Sequence, residues 1–250
     1  MTIDRILIII PTYNETENLP VLLERIQAEA PDCHLLIVDD NSPDGTADLA
    51  EKLFAARDGY SVLRRTGKRG LGRSYVDGYA FALHAGYPRI VQMDADLSHD
   101  PKYIPRLIDA AETADVVLGS RYCEGGGVRN WPARRYWLSR FANRYVSAIT
   151  GLPAKDSTSG FRCYTRRALE KIAIERIESN GYAFQVEMTY RAAEAGLKIV
   201  ESPIVFVDRL EGKSKISRTV LIESMIMPWR LRFHMRRSRH FHASPNPTDP

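Results

Sequence analysis

Cysteine is scarce in this chain: 250 residues contain only Cys33, Cys123 and Cys163, far apart and with no Cys-X-X-Cys pair. An odd number at that spacing excludes a disulfide framework and a thiolate zinc site, so reduced thiols are expected. Long apolar runs are missing as well. No segment approaches the roughly 18 to 20 residues that a membrane-crossing helix takes. The stretch after Met1 lacks the basic region, apolar core and small-residue cleavage site of a signal peptide, and none is expected. The first apolar strand is followed by Pro11-Thr12-Tyr13-Asn14-Glu15, without a Gly-X-Gly-X-X-Gly turn, which disfavours a nicotinamide-dependent oxidoreductase. The glycine-rich stretch Gly67-Lys68-Arg69-Gly70-Leu71-Gly72 could bring backbone N–H groups to a phosphate, but it lacks the Lys-Ser/Thr ending of a P-loop. Strong net charge is absent too: Lys+Arg 35 against Asp+Glu 31 gives +4, too little to announce nucleic acid.

What is present is an ordinary globular composition, 44% hydrophobic and 26% charged, enough for a packed core. Arg5 to Ile10 is a β-branched run suited to a parallel strand covered on both faces, with Pro11 stopping it. Leu19, Leu22, Leu23 and Ile26 follow at helical spacing. The pattern repeats. Leu35 to Val38 is a strand ending in Asp39 and Asp40, Asn41 to Gly45 is turn chemistry, and Thr46 to Arg57 is a helix. Ser61 to Leu63, Arg89 to Met93 and Val116 to Leu118 are further strands, separated by helices through His84 and from Pro101 to Glu112. Strands alternating with helices predict an α/β fold with a mainly parallel, Rossmann-like sheet, and ligands beyond the carboxyl ends of its strands. Glu15, Asp40, Asp94, Asp96 and Arg121 all fall just there.

The second half is less regular. Gly125-Gly126-Gly127 reads as a flexible connection, Trp131 to Ile149 as a long helix with Arg134, Arg135, Arg140 and Arg144, and Phe161 to Tyr164 as a short strand. Phe184 to Ala195 is another helix, and Ile199 to Val207 gives one or two strands broken at Pro203. A single domain over residues 1–217 is expected, then an amphipathic, Arg-rich segment over 218–242 and a disordered, Pro-rich tail over 243–250. In the Ile216 to Phe233 stretch apolar residues alternate with cations. It either lies in a membrane interface or packs on the core and leaves a solvated basic tail.

The most suggestive chemistry is Val91 to Pro101, where a strand runs into Asp94, Ala95 and Asp96. In an extended segment, residues two apart point the same way, so the two carboxylates are expected to converge. Hard oxygen donors so placed suit Mg²⁺ or Mn²⁺ sharing coordination with phosphates. The plainer alternative is a solvated loop, or a cap for the helix near Pro101.

Pro11-Thr12-Tyr13-Asn14-Glu15, Val38-Asp39-Asp40-Asn41-Ser42-Pro43-Asp44-Gly45, Met93-Asp94-Ala95-Asp96-Leu97-Ser98-His99, Gly119-Ser120-Arg121-Tyr122 and Phe206-Val207-Asp208-Arg209 together closely resemble the dolichol-phosphate mannose synthases. These are polyprenol-phosphate mannosyltransferases among the inverting GT-A family 2 glycosyltransferases. The likeness spans about Arg5 to Ser217. It implies transfer of mannose from GDP-mannose to the phosphate of a long isoprenoid lipid. Pro11, Tyr13, Glu15, Val38 and Asp40 are then the nucleoside pocket. Asp94, Ala95, Asp96 and Ser98 hold the diphosphate, and Asp94, Asp96 and Ser98 hold the metal. Arg121, Arg209 and Lys215 close over the phosphates, and Arg121, Arg135 and Ser139 receive the lipid phosphate. Gln185 and Glu187 recur in the family pattern without an assigned role. The resemblance also implies a peripheral protein on the cytoplasmic face of a membrane, attached by its own Ile216 to Phe233 segment or by a small membrane-embedded partner. Competing readings are a UDP-glucose-dependent polyprenol-phosphate glucosyltransferase, a nucleotide-sugar binder without turnover, and, from the Arg-rich stretch Trp229 to Phe241 alone, a nucleic-acid module.

Overall fold

The structure, a computed structural model, describes residues 5–55, 57–67, 70–179, 181–207 and 225–233. Arg209, Lys215, residues 216–224 of the Ile216 to Phe233 stretch and the 243–250 tail lie outside them.

Five parallel pairings and two antiparallel ones organise the described strands. In chain order these are β1 (Ile6–Thr12), β2 (His34–Asp39), β3 (Tyr60–Arg64), β4 (Arg89–Gln92), β5 (Val116–Ser120), β6 (Gly127–Arg129), β7 (Arg162–Thr165), β8 (Ile199–Pro203) and β9 (Val205–Val207). A seven-stranded sheet has the order β3-β2-β1-β4-β7-β5-β8, and β6 pairs with β9 apart from it. Only β7 runs against its neighbours, β4 and β5. The mainly parallel α/β sheet read from the sequence is therefore the fold.

Period-two alternation divides the strand side chains between two cores. Ile8, Ile10, Leu35, Ile37, Val91 and Val117 face one layer, and Leu7, Ile9, Leu36, Val38, Ile90 and Val116 the other. The first layer is covered by α1 (Leu19–Glu29), α2 (Thr46–Phe54) and α4 (Ile104–Ala110). The opposite layer is covered by α3 (Leu71–His84), α6 (Arg166–Ile172) and α7 (Gly181–Glu194). Both faces being covered is what the unbroken RILIII run requires. The remaining long helix, α5 (Ala133–Thr150), packs Val146 against Val186 and Tyr190 of α7 and against Met227 and Leu231 of helix α8, residues 225–233. Arg232 of α8 donates to the Ile149 carbonyl in the last turn of α5, a basic cap on a helix C-terminus.

Several sequence expectations shift. Pro11 does not end β1, which continues to Thr12. Pairing with β4 stops at Ile9↔Gln92, so on that side no ladder bond needs the N–H that Pro11 lacks, while β2 still pairs alongside (Pro11↔Val38). The supposed flexible glycines lead into strand β6, because the Gly127 N–H is taken by the Ile204 carbonyl (2.9 Å). The helix from Pro101 begins as a 3₁₀ turn, Pro101–Tyr103. Helix α6 is too short, at 7 residues, to declare a period.

Gly78 marks where α3 presses onto β1 and β2: a Cβ there would lie 2.6 Å from Ile9 Cγ2 and 3.3 Å from Val38 Cγ2. Gly78→Val should therefore cost about 2 kcal/mol of stability or more through overpacking. Urea unfolding of the variant against the wild type measures this, and an unchanged midpoint would show that the helix–sheet contact yields freely.

Candidate active site

The carboxyl ends of the parallel strands β1, β2, β4 and β5 lie along one edge of the sheet, and the loops leaving them build the site. The β1 and β2 exits are stitched to each other. The Thr12 hydroxyl donates to Asp39 Oδ1 (2.9 Å), and Ser42 donates to the same carboxylate through its hydroxyl (2.6 Å) and its N–H (2.8 Å). The Asn14 N–H reaches Ser42 Oγ (3.1 Å) and the Glu15 N–H reaches Thr46 Oγ1 (2.9 Å). Asn14 and Asn41 take left-handed φ of 60° and 61°, a conformation that asparagine tolerates well. Asp39 is thus a structural knot, and its neighbour Asp40 is turned the other way.

Asp40 is buried, with its Oδ1 paired to Arg65 and its Oδ2 accepting the Gly70 N–H (2.9 Å). The glycine-rich loop therefore holds a carboxylate in this structure. Arg65 also donates to Asp77 Oδ2 and Ser74 Oγ on α3. Pro11 and Val38 are register partners in β1 and β2, and the Val38 side chain is in the core, so it can offer a ligand only its backbone. Tyr13 stands exposed at the mouth, and the Glu15 carboxylate accepts from Asn18 Nδ2 (2.7 Å).

After β4 the chain bends rather than running on extended, with Leu97 at φ 61°. The alternation argument for Asp94 and Asp96 thus fails, and the two carboxylates are positioned by separate contacts. Asp94 Oδ1 accepts the Tyr75 hydroxyl (2.7 Å), and its N–H donates to His99 Nδ1 (3.0 Å). Asp96 Oδ1 accepts the Ser98 N–H (3.0 Å) and the Ser98 hydroxyl. Both carboxylates act on Tyr75: its burial, with Asp94 next and Asp96 more weakly, pushes the phenol well above its ordinary range. It therefore stays a donor. Capping near Pro101 is done by Asp100, which accepts from the Lys102 N–H (3.2 Å), so Asp94 and Asp96 are not needed for it. His99 is buried, stacked on Phe161 and edge-on to Phe206. It braces the loop, with Nδ1 as its accepting nitrogen.

Arg121 leaves the end of β5 and is gripped by Asp156: Nε to Oδ2 and Nη2 to Oδ1, both 2.7 Å, with the Arg121 N–H on Oδ2 at 3.0 Å. Burial pushes the Asp156 carboxyl up, but the Arg121 charge and these hydrogen bonds outweigh it and hold it below the usual range. Trp131 then brings the cations together: the guanidinium carbons of Arg135 and Arg121 lie 4.3 Å and 5.5 Å from its ring centroid. Ser139 sits on α5 one turn beyond Arg135.

Of the residues read from the sequence, Asp94 and Asp96 share Tyr75 as a neighbour, and Arg121 and Arg135 share Trp131. Ala95 is buried in the core. Glu187 is engaged by the Ser179 N–H and by Arg191, while Gln185 is buried with its Oε1 unpartnered among the described residues. Among the described residues there is no group of three or more His, Cys, Asp or Glu side chains suited to a metal. Sequence reasoning missed Tyr75, Trp131 and Asp156. The run Asp156-Ser157-Thr158-Ser159-Gly160-Phe161-Arg162, dense in small polar residues, was the available signal for the last.

Carboxylates and guanidinium groups gathered at the carboxyl edge of a parallel sheet define an α/β enzyme equipped for phosphate-bearing substrates. Residues 7–173 match the model of "Glycosyl transferase family 2", and the chain belongs to that family. It is 46% identical over 239 residues to "Polyprenol monophosphomannose synthase" of Mycolicibacterium smegmatis, covering 94% of this chain and 90% of the relative. It is also 46% identical over 222 residues to "Undecaprenyl-phosphate mannosyltransferase" of Micrococcus luteus, covering 89% and 91%. Among solved structures, the fold is similar to glucosyl-3-phosphoglycerate synthase from Mycobacterium tuberculosis with Mn²⁺, UDP and glucosyl-3-phosphoglycerate (TM-score 0.62, 18% identity, 98% of this chain and 82% of that one). Mannosyl-3-phosphoglycerate synthase from Rubrobacter xylanophilus aligns with a TM-score of 0.64 at 16% identity, over 97% and 76%.

The Asp156 pairing makes a pH prediction. A carboxyl lowered by folding adds stability that is full above its unfolded value of about 3.8 and is lost as pH falls through the lower folded value. Asp156→Asn should cost about 3 kcal/mol near neutrality and flatten the decline in stability between about pH 5 and pH 2. Urea midpoints across that range test it, and an equally steep decline in the variant would assign the acid sensitivity elsewhere.

Proposed function

We propose that this enzyme transfers mannose from GDP-mannose to the phosphate of a polyprenol, with inversion, giving a β-linked polyprenyl mannosyl phosphate. The observation that carries the reading is the 46% identity, over most of the chain, to proteins named for mannosyl transfer to polyprenyl phosphates. The donor rests on the pocket around Glu15 and Asp40. Carboxylates there are suited to accept the N–H donors that guanine presents.

Asp94, Asp96 and the Ser98 hydroxyl are hard oxygen donors at the strand tips and fit Mg²⁺ or Mn²⁺; Asp94 is partly open to solvent. Such an ion, when bound, neutralises charge on the departing diphosphate. Tyr75 fixes the Asp94 carboxylate, and Ser98 fixes that of Asp96. Arg121 faces the phosphates with its orientation set by Asp156. Arg135, set over the Trp131 ring, has the planar fork that suits a phosphate monoester. That acceptor, with a second pKa near ~6, is already largely dianionic at neutral pH, so no strong base has to remove a proton. His99, enclosed and accepting from the Asp94 N–H, is accordingly a brace in this scheme.

The lipid would approach from the face of α5 and α8. Trp137, Leu138 and Phe141 are exposed on α5, and Met225, Ile226, Trp229 and Phe233 on α8. Tyr145, one turn after Phe141, joins the two helices: its hydroxyl donates to the Met225 carbonyl and accepts from Trp229 Nε1. Aromatic residues rimmed by arginines suit an anionic membrane surface. No helix among the described residues is long and apolar enough to cross a membrane.

With radiolabelled GDP-mannose and a short polyprenyl phosphate, Asp96→Ala should abolish transfer even in excess metal, and Arg135→Ala should mainly raise the acceptor KM. Near-normal turnover by the Asp96 variant rejects the metal assignment, and preference for UDP-glucose rejects the donor. In flotation with anionic vesicles, Trp137→Ser/Phe141→Ser should bind about tenfold more weakly than the wild type. A wild-type protein that stays at the bottom of the gradient would point to a separate membrane-embedded partner.

A further inference from the structure

We propose that the Thr158 hydroxyl is a positioning residue that couples helix α5, which carries Arg135 and Ser139, to Arg121. The proposal rests on the mannosyl-transfer reading for the names of the two substrates, but its geometry stands apart from it. Thr158 Oγ1 accepts from Arg121 Nη2 (2.9 Å) and from Asn143 Nδ2 (3.0 Å), and it donates to Asp156 Oδ1 (3.2 Å). A hydroxyl has one proton and two lone pairs, so every bonding position is used.

Asn143 is 2% exposed and lies one turn beyond Ser139 on α5. Its amide also donates to the Ser139 carbonyl (3.1 Å), and its Oδ1 accepts the Ser157 hydroxyl (3.2 Å). A carbonyl can only accept, which fixes which end of the Asn143 amide faces Ser139, leaving Nδ2 toward Thr158.

The loop bearing Thr158 is held on both sides. Arg162, fully buried, donates to the Ser157 carbonyl through Nη2 and to the Ser159 carbonyl through Nε, both at 2.7 Å. These bonds bracket residue 158. Farther along, the Gly160 carbonyl accepts from Gln92 Nε2 (2.9 Å), and a Cβ on Gly160 would come within 3.2 Å of Asp94 Oδ2. The same short loop therefore runs beneath Asp94, holds Arg121 and grips α5. A displacement of α5 on binding a phosphate at Arg135 is passed through Asn143 and Thr158 to the guanidinium of Arg121.

Thr158→Val replaces the hydroxyl with a methyl of similar size, and Thr158→Ser keeps the hydroxyl. With GDP-mannose and a short polyprenyl phosphate, Thr158→Val should lower kcat about tenfold while GDP affinity by calorimetry stays within about twofold, and Thr158→Ser should restore most of the rate. Transfer by Thr158→Val within twofold of the wild type, or a Thr158→Ser variant as slow as it, overturns the proposal. Thr158→Ala, with no bulk to accommodate, replaces Thr158→Val should the latter fold poorly.

A second readout needs no turnover. Inorganic pyrophosphate with Mg²⁺ should slow backbone amide exchange around residues 139–143 of α5 in the wild type and leave it unchanged in Thr158→Val. Slowing of the same size in both proteins refutes the coupling. Absence of transfer by the wild type with this exchange difference intact would instead remove the mannosyl-transfer reading and leave the coupling standing.

Discussion

A buried ion pair, Asp156 with Arg121, sets the arrangement of the whole basic side of the cleft. Asp156 is closed to solvent and Arg121 nearly so, so the acid depends on the cation for the charge balance that water would otherwise provide. The bidentate geometry leaves the guanidinium no rotational freedom about the carboxylate, and Trp131, Phe206 and Tyr122 surround the rest of the group. Every other contribution to that side is arranged around this fixed cation. Strand β9 supplies Phe206, the segment after β6 supplies Trp131, and α5 supplies Arg135.

The acidic side is organised differently. Asp94 accepts the Tyr75 hydroxyl, and Asp96 accepts the Ser98 hydroxyl and N–H, so neutral donors orient both carboxylates. Tyr75 belongs to a cluster of three near-parallel rings in which it, Tyr79 and Phe184 each pack on the other two. A hydroxyl aimed from a rigid aromatic stack is a more exact support than one on a loop. One side of the cleft thus presents carboxylates oriented by hydroxyl groups, and the other presents guanidinium groups oriented by an acid and aromatic faces.

Much of this was legible from the sequence, and the limits are physical. The β-branched runs and the helices between them declare a parallel sheet, and the sheet rule places Glu15, Asp40, Asp94, Asp96 and Arg121 on one edge. Alternation could not position Asp94 and Asp96, because hydrogen bonds from Ser98 and to His99 bend the chain there, and these are long-range or turn contacts with no period. Arg135 could be read as a phosphate ligand only through the family resemblance; what holds it, Trp131, stands four residues earlier and looked like the start of a helix. The polar run that begins at Asp156 could mark the residue but not its role, because its partner is 35 residues away. Arg209 and Lys215 fall outside the described residues.

Strand β7 gives the cleft its width. It enters the sheet from the opposite direction between β4 and β5, so the strand that leads to Asp94 and the strand that leads to Arg121 are not neighbours. Two interstrand spacings amount to roughly 10 Å, where direct neighbours would stand about 5 Å apart. The reversed strand therefore about doubles the separation of the two strand ends. The single reversed strand in an otherwise uniform sheet thereby acts as a spacer between the acidic and basic walls.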